Sequence, residues 1–241
     1  MDKKRNVILF ALLLIVFIAI LGINSFFNLF HCNLRKELKG KSDTQIHEIR
    51  EKIAELEKEP VKDVTTVGRL ARQYLLLSTL YLDKKMWDMA IDALQNALKY
   101  GESGPAVFYQ MALAYANRGY DMDNDDDFRT AEGYYRKAIE KHPKYDDALY
   151  GLSILLFYHR NGQDEAMTII AELTDRNPKF YPARFARGRF LYETGNMEGA
   201  LRIYEKLNED LSSLPASGII NEYREQCRSN ITQIMSEMSG R

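Results

Sequence analysis

From Asn6 to Phe30 the chain runs 25 positions without a charged side chain, and Lys3, Lys4 and Arg5 stand directly before the run. About 20 apolar residues cross the hydrocarbon core of a bilayer, and a helix of this length is roughly 37 Å long against about 30 Å of hydrocarbon. The pattern therefore predicts a transmembrane helix over 6–30 that spans with some tilt. The period then shortens. Ile46, Ile49, Ile53 and Leu56 recur at three and four residues among Glu48, Arg50, Glu51, Lys52, Glu55 and Glu57, an amphipathic helix in the linker 31–65. Its two heptads are too few for a coiled coil. Pro60 ends it, and Val61 to Val64 form the expected hinge. At the other end, Ile219, Ile220, Tyr223, Cys227, Ile231, Ile234, Met235 and Met238 mark one apolar helix face, with Glu222, Arg224, Glu225 and Arg228 opposite.

Between these flanks, residues 66–212 show an internal repeat. Ala90, Ala131, Ala166 and Ala200 recur with a 34-residue logic, and Gly188, Gly195, Ala200, Tyr204 and Leu207 follow at spacings of 7, 5, 4 and 3. Another copy reads Phe108, Met111, Ala112, Tyr115, then Ala131, Tyr135, Ala138 and Pro143. Large residues at such spacing fill the space between paired helices, and the alanines let helix axes approach closely. A single pair cannot bury its apolar face, so several must stack into one core. The spacing places repeats near 71–104, 105–144, 145–178 and 179–212. It predicts an all-α solenoid of about four helix-turn-helix repeats, closed by a capping helix in 213–241.

These residues resemble the tetratricopeptide repeat family, whose pattern sets a large residue, Leu-Gly, Tyr, Ala, an aromatic, Ala and Pro along a helix-turn-helix. Arg184 and Arg187 depart from it, standing where the family is usually apolar. The resemblance implies a groove built from the first helix of each pair, with Tyr109, Gln110, Asn117, Tyr150, Phe185, Arg189 and Tyr192 facing a partner protein. Members that bind chaperone tails hold a carboxylate with Lys and Asn at positions occupied here by Leu75 and Thr79, which lowers the expectation of that ligand.

A cleaved signal carries an apolar region of about 7–15 residues before a small-x-small site. Here Phe26 and Phe27 crowd the pair Gly22 and Ser25, so the run is expected to stay as an anchor. His31 before Cys32 argues against a lipoprotein site. Basic residues flank both ends, Lys3, Lys4 and Arg5 against Arg35, Lys36, Lys39 and Lys41, so their number does not decide orientation. Keeping the first three inside places residues 1–5 in the cytoplasm and the repeats on the outer side. The expectation is a single-pass protein of a bacterial inner membrane with its carboxyl-terminal domain in the periplasm.

Charge and chemistry narrow the function further. Beyond the anchor, 30 basic residues face 33 acidic ones, and the densest basic cluster is Arg184, Arg187 and Arg189, an ordinary helix face and no nucleic-acid surface. Cys32 and Cys227 give no disulfide framework. His31, His47, His142 and His159 lack metal-ligand spacing, and Gly151-Leu152-Ser153 continues into Ile154 and Leu155 without the second glycine of a nucleophile elbow. No catalytic residue, metal or cofactor is expected, and the protein is not expected to be an enzyme. One stretch stands apart. Asp121, Asp123, Asp125, Asp127 and Glu132 fit places 1, 3, 5, 7 and 12 of a calcium loop, but Asp126 stands where that loop needs glycine. The expectation is a solvated, mobile acidic insertion about seven residues long between the helices of the second repeat, open to a basic partner.

The expected function is a membrane-tethered scaffold for partner proteins of an envelope assembly. In layout the chain resembles bacterial envelope proteins with one span and a periplasmic repeat domain. That likeness leaves two alternatives: a self-assembling ring component of a membrane machine such as a flagellar motor, in which the chain is a homo-oligomer, and a chaperone-like ancillary subunit of the protein-export translocon.

Overall fold

The computed structural model describes residues 42–60 and 62–240. The expected anchor 6–30, its flank 1–5, His31 and Cys32 lie outside the described residues. Among the described residues there are ten helices and no strand: α1 (Ser42–Glu57), α2 (Val64–Asp83), α3 (Trp87–Lys99), α4 (Pro105–Met122), α5 (Asp125–Lys141), α6 (Asp146–His159), α7 (Gln163–Arg176), α8 (Tyr181–Glu193), α9 (Met197–Ser212) and α10 (Gly218–Ser239). None of these is long and apolar enough to cross a membrane. The chain divides into two compact units, residues 1–48 and 49–241. Of the first, only residues 42–48, the opening turns of α1, are described.

Helices α2–α3, α4–α5, α6–α7 and α8–α9 form four pairs joined by turns of two or three residues, and short turns make the paired helices antiparallel neighbours. Each turn reverses through one left-handed residue: Lys85 at φ 59°, Asp123 at 52°, Asn161 at 53° and Gly195 at 84°. Side-chain oxygens cap the helix starts where the sequence supplies them. Asp63 accepts from the Thr66 amide at 2.7 Å, and Asn196 accepts from the Gly199 amide at 2.8 Å. The Asp63 cap starts α2 at Val64, so the hinge is shorter than Val61 to Val64 and the first repeat begins seven residues before residue 71. His142 caps α5 through its backbone N–H to Ala138 at 3.0 Å, while its ring meets Tyr145 edge-on.

Size alternation builds the core. Ala112, Ala131, Ala138 and Ala200 are fully buried beside Tyr135 and Tyr204. Two glycines carry the closest approaches: a Cβ on Gly151 lies 2.6 Å from the Tyr135 ring, and one on Gly188 lies 2.7 Å from the Tyr204 ring. A buried ring has little room to move, so Gly188→Ala and Gly151→Ala are each expected to cost about 1–3 kcal/mol by overpacking. Denaturant unfolding checks this; unchanged midpoints for both variants defeat it.

Polar ties then join helices both within pairs and between successive pairs. Arg136 Nη1 donates to Glu165 at 2.8 Å, and Asn177 Nδ2 donates to Asp146 at 2.7 Å. The two arginines at apolar family positions are used the same way: Arg184 pairs with Asp210 at 2.7 Å, and Arg187 donates to Thr174 at 2.8 Å and pairs with Asp175. At the amino-terminal end, Glu57 at the close of α1 accepts from Tyr74 at 2.7 Å and Tyr100 at 3.3 Å, whose rings stack. At the other end, Tyr223 packs on Tyr181 and Phe185, and Gln233 and Glu237 bond Tyr192. Helix α10 thus runs alongside α8 in the same direction, in the place of a further first helix.

The acidic insertion is not a loop. Its residues extend α4 to Met122 and start α5 at Asp125, leaving a two-residue turn of Asp123 and Asn124. Helix propagation adds one backbone bond per residue, and the aspartates sit favourably at the amino end of α5. The carboxylates are paired rather than simply solvated. Asp127 is buried and takes two bonds of 2.7 Å from Arg118, Arg129 holds Asp125 and Asp126, and Arg160 joins Asp125 to Glu132. Asp121 accepts from Trp87 Nε1 at 2.7 Å. The five calcium-template residues therefore form no single loop around one point.

His159 packs beside this turn, stacked 4.0 Å from Phe128. Burial pushes its pKa below the ordinary 6.5, against the opposing charge of Asp123. A folded pKa below the unfolded one leaves stability intact above about 6.5, and stability falls as pH drops from there toward the folded value. His159→Phe is expected to flatten the stability profile in that window, as read from urea midpoints between pH 7 and 5. An unchanged slope counts against the assignment.

Candidate protein-binding surface on the first helices

The first helices touch one another in series, α2 with α4, α4 with α6 and α6 with α8, whereas the second helices make no comparable contacts. Axes lie closer on the inner side of a curved stack, so the first helices form the inner row. A partner segment laid along this row meets every pair in turn.

The seven residues expected on this surface divide in two. Tyr109, Tyr150 and Phe185 are 9, 7 and 2% exposed, so they are interior groups rather than an open groove floor. The reason lies in the stacking. Each occupies the cleft between its own first helix and the next: Tyr109 lies 5.1 Å from the Tyr145 ring, Tyr150 5.7 Å from Phe180, and Phe185 5.4 Å from Tyr223. Burial pushes the Tyr109 and Tyr150 hydroxyls well above the usual phenol range, so both stay neutral.

The other four are half-buried and keep surface access. Gln110 accepts from Ser78 at 2.6 Å and donates to Thr79 at 3.0 Å, joining α4 to α2. Asn117 donates to the Leu113 carbonyl of its own helix at 2.7 Å. Arg189 pairs with Glu193 one turn on and lies over the Tyr192 ring, and Tyr192 donates to Glu237 at 2.7 Å. A shallow recess of about 10 Å³, no larger than a water molecule needs, opens where these last residues meet α9 and α10, lined by Arg189, Tyr192, Tyr204, Asn230, Gln233 and Ile234. That is far below the roughly 300–1,000 Å³ of small-molecule sites.

Sequence reasoning missed Leu76, which is exposed one helical turn from Arg72 and Thr79 on α2. Its offset of 34 residues from Gln110 was the available signal, because equivalent positions of successive repeats face the same way. Leu76, Gln110 and Asn117 thus give the amino-terminal half of the row an apolar and amide character. Arg189 and Tyr192 give the carboxyl-terminal half a charged and aromatic one.

The tetratricopeptide repeat pattern matches residues 122–169 and 164–211. A tetratricopeptide repeat protein from Parabacteroides merdae has the same fold with a TM-score of 0.61 at 17% identity, over 90% of this chain and 78% of that one. A thermophilic repeat protein of the same kind from Thermus thermophilus gives 0.61 at 12% identity, over 86% and 99%. BtubC from P. vanneervenii gives 0.57 at 13%, over 83% and 93%. No curated protein matches the chain. At these identities the structural likeness speaks for fold: an all-α solenoid of the tetratricopeptide type, with repeats of that family over 122–211.

Proposed function

We propose, from a tetratricopeptide-type solenoid as the premise, that this chain is a membrane-tethered scaffold that holds partner proteins along its row of first helices and catalyses no reaction. Repeats of this kind generally mediate protein–protein interaction, and the serial contact of α2, α4, α6 and α8 is the observation that carries the reading to this chain. A continuous inner row lets one extended or helical segment engage several pairs at once, with Leu76, Gln110, Asn117, Arg189 and Tyr192 as the accessible contacts. The tether is residues 6–30, on the length and apolarity of that run. The solenoid then works on the outer face of a bacterial inner membrane, among envelope proteins, because Lys3, Lys4 and Arg5 stay inside.

A photo-crosslinking side chain at Leu76 or Asn117, activated in intact membranes, is expected to capture a defined protein whose yield drops with Arg189→Ala and Tyr192→Ala. Equal yield from a control position on α7, such as Glu172, removes the claim for this row. Alkaline extraction tests the tether separately: the intact chain should stay in the membrane pellet. External protease should digest the repeats, and protection reverses the orientation while leaving the row untouched.

A further inference from the structure

Arg69, Leu76 and Asp83 stand at seven-residue spacing on α2, with Arg72 and Thr79 at the threes and fours between them. Two turns of an α-helix take about seven residues, so these five side chains share one face of a single helix. That face belongs to the inner row, because Thr79 accepts from Gln110 Nε2 of α4 at 3.0 Å. Its middle is open. Arg69 and Arg72 are exposed and Leu76 is 48% exposed, whereas Leu70, Leu77, Leu80 and Leu82 of the same helix are buried.

The charge here is not offset within the fold. Glu59 and Asp63, next to α2 in sequence, both bond Thr66, and Asp63 also faces the charge of Arg69. The Arg72 guanidinium makes no ion pair or hydrogen bond among the described residues. Asp83 lies roughly 16 Å further along the axis, beyond the about 8 Å over which exposed charges act on one another at physiological salt. Lys84 and Lys85 follow it directly, and Gln110 and Asn117, next along the row, are neutral. Other arginines serve the fold: Arg118, Arg136, Arg160, Arg184 and Arg187 each hold a carboxylate of another helix. Arg72 holds none, and it stands one helical turn from an exposed leucine.

We propose that this face of α2 takes an acidic amphipathic helix of the partner protein, with an apolar side chain on Leu76 and Asp or Glu side chains on Arg69 and Arg72. A guanidinium pairs with a carboxylate through two parallel bonds, and complementary charge selects which segment approaches. A helix presents an apolar residue and carboxylates one turn apart, the spacing that α2 offers in reverse charge. The inference rests on the scaffold reading above and names the chemistry of what the row holds at its amino-terminal end.

The test uses the full chain in zwitterionic nanodiscs, with empty discs as baseline. The probe is a fluorescent helix of about 18 residues built from Leu and Glu, beside its Leu and Lys counterpart, with anisotropy as the readout. Saturable binding of the Glu peptide is expected, weakening with salt, and the Lys peptide should bind at least about tenfold less tightly. Arg72→Glu should weaken the Glu peptide about tenfold and strengthen the Lys peptide, a reversal that loss of fold does not produce. Leu76→Gln should weaken the Glu peptide with the helical signal kept. No binding, equal binding of the two peptides, or an unchanged preference in Arg72→Glu overturns the proposal. Crosslinking from Asn117 in intact membranes separates the two readings. Capture that persists undiminished in Arg72→Glu removes the acidic helix and leaves the scaffold, and no capture from any position of the row removes both.

Discussion

Phe185→Ala is expected to remove about 3–5 kcal/mol from the unfolding free energy, the usual cost of emptying a fully buried aromatic site. Phe185 packs between Tyr204 on α9 and Tyr223 on α10, so its loss opens a cavity that neither neighbouring ring fills. The capping helix should loosen first, since Tyr223 loses its ring contact with Phe185. Asn117→Ala provides the contrast: its amide bonds only the carbonyl one turn before it, and the change should fall within about 0.5 kcal/mol. Urea unfolding of both variants, followed by far-ultraviolet circular dichroism, reads the difference. A Phe185→Ala protein of normal stability that fails to bind partners would return this residue to the binding surface.

Removing Arg118 should be comparably severe. The guanidinium gives two bonds of 2.7 Å to the buried carboxylate of Asp127 and a third to Asp88, and it lies 5.0 Å over the Tyr115 ring. Arg118→Leu leaves the Asp127 charge buried without its partner, which costs about 3–5 kcal/mol. Adding Asp127→Asn removes the stranded charge and should recover part of that loss, so the double variant is expected to be more stable than the single one. Thermal unfolding of the two proteins at pH 7 decides it. A loss below about 1 kcal/mol for Arg118→Leu would mean that Asp127 is solvated.

The first of these expectations turns on how first helices stack. In the sequence, Tyr109, Tyr150 and Phe185 read as groove residues because their register on each first helix faces the inner side. The three-dimensional stack brings the next first helix close enough to cover them, through Tyr145, Phe180 and Tyr223 respectively. Register fixes the direction of a side chain, while the curvature of the stack decides whether that direction meets water. The acidic run failed as a loop for a related reason. Five aspartates in seven positions suggest mutual repulsion, but Arg118, Arg129 and Arg160 arrive from three different helical positions to pair them.

The sequence by itself determined the helical repeat, because small residues at 34-residue spacing mark the close contacts and large ones fill the gaps between them. Gly188 beside Tyr204 is such a contact, legible as a spacing before its geometry was visible. It also gave the apolar run at 6–30, since uncharged length is a local property. Tertiary structure alone decided which of the expected surface residues stay exposed, that the insertion lengthens two helices, and that Trp87 and Asp121 come together across 34 residues of sequence. Those outcomes depend on pairings between helices, and a pairing is a sum over partners that no single segment of the chain contains.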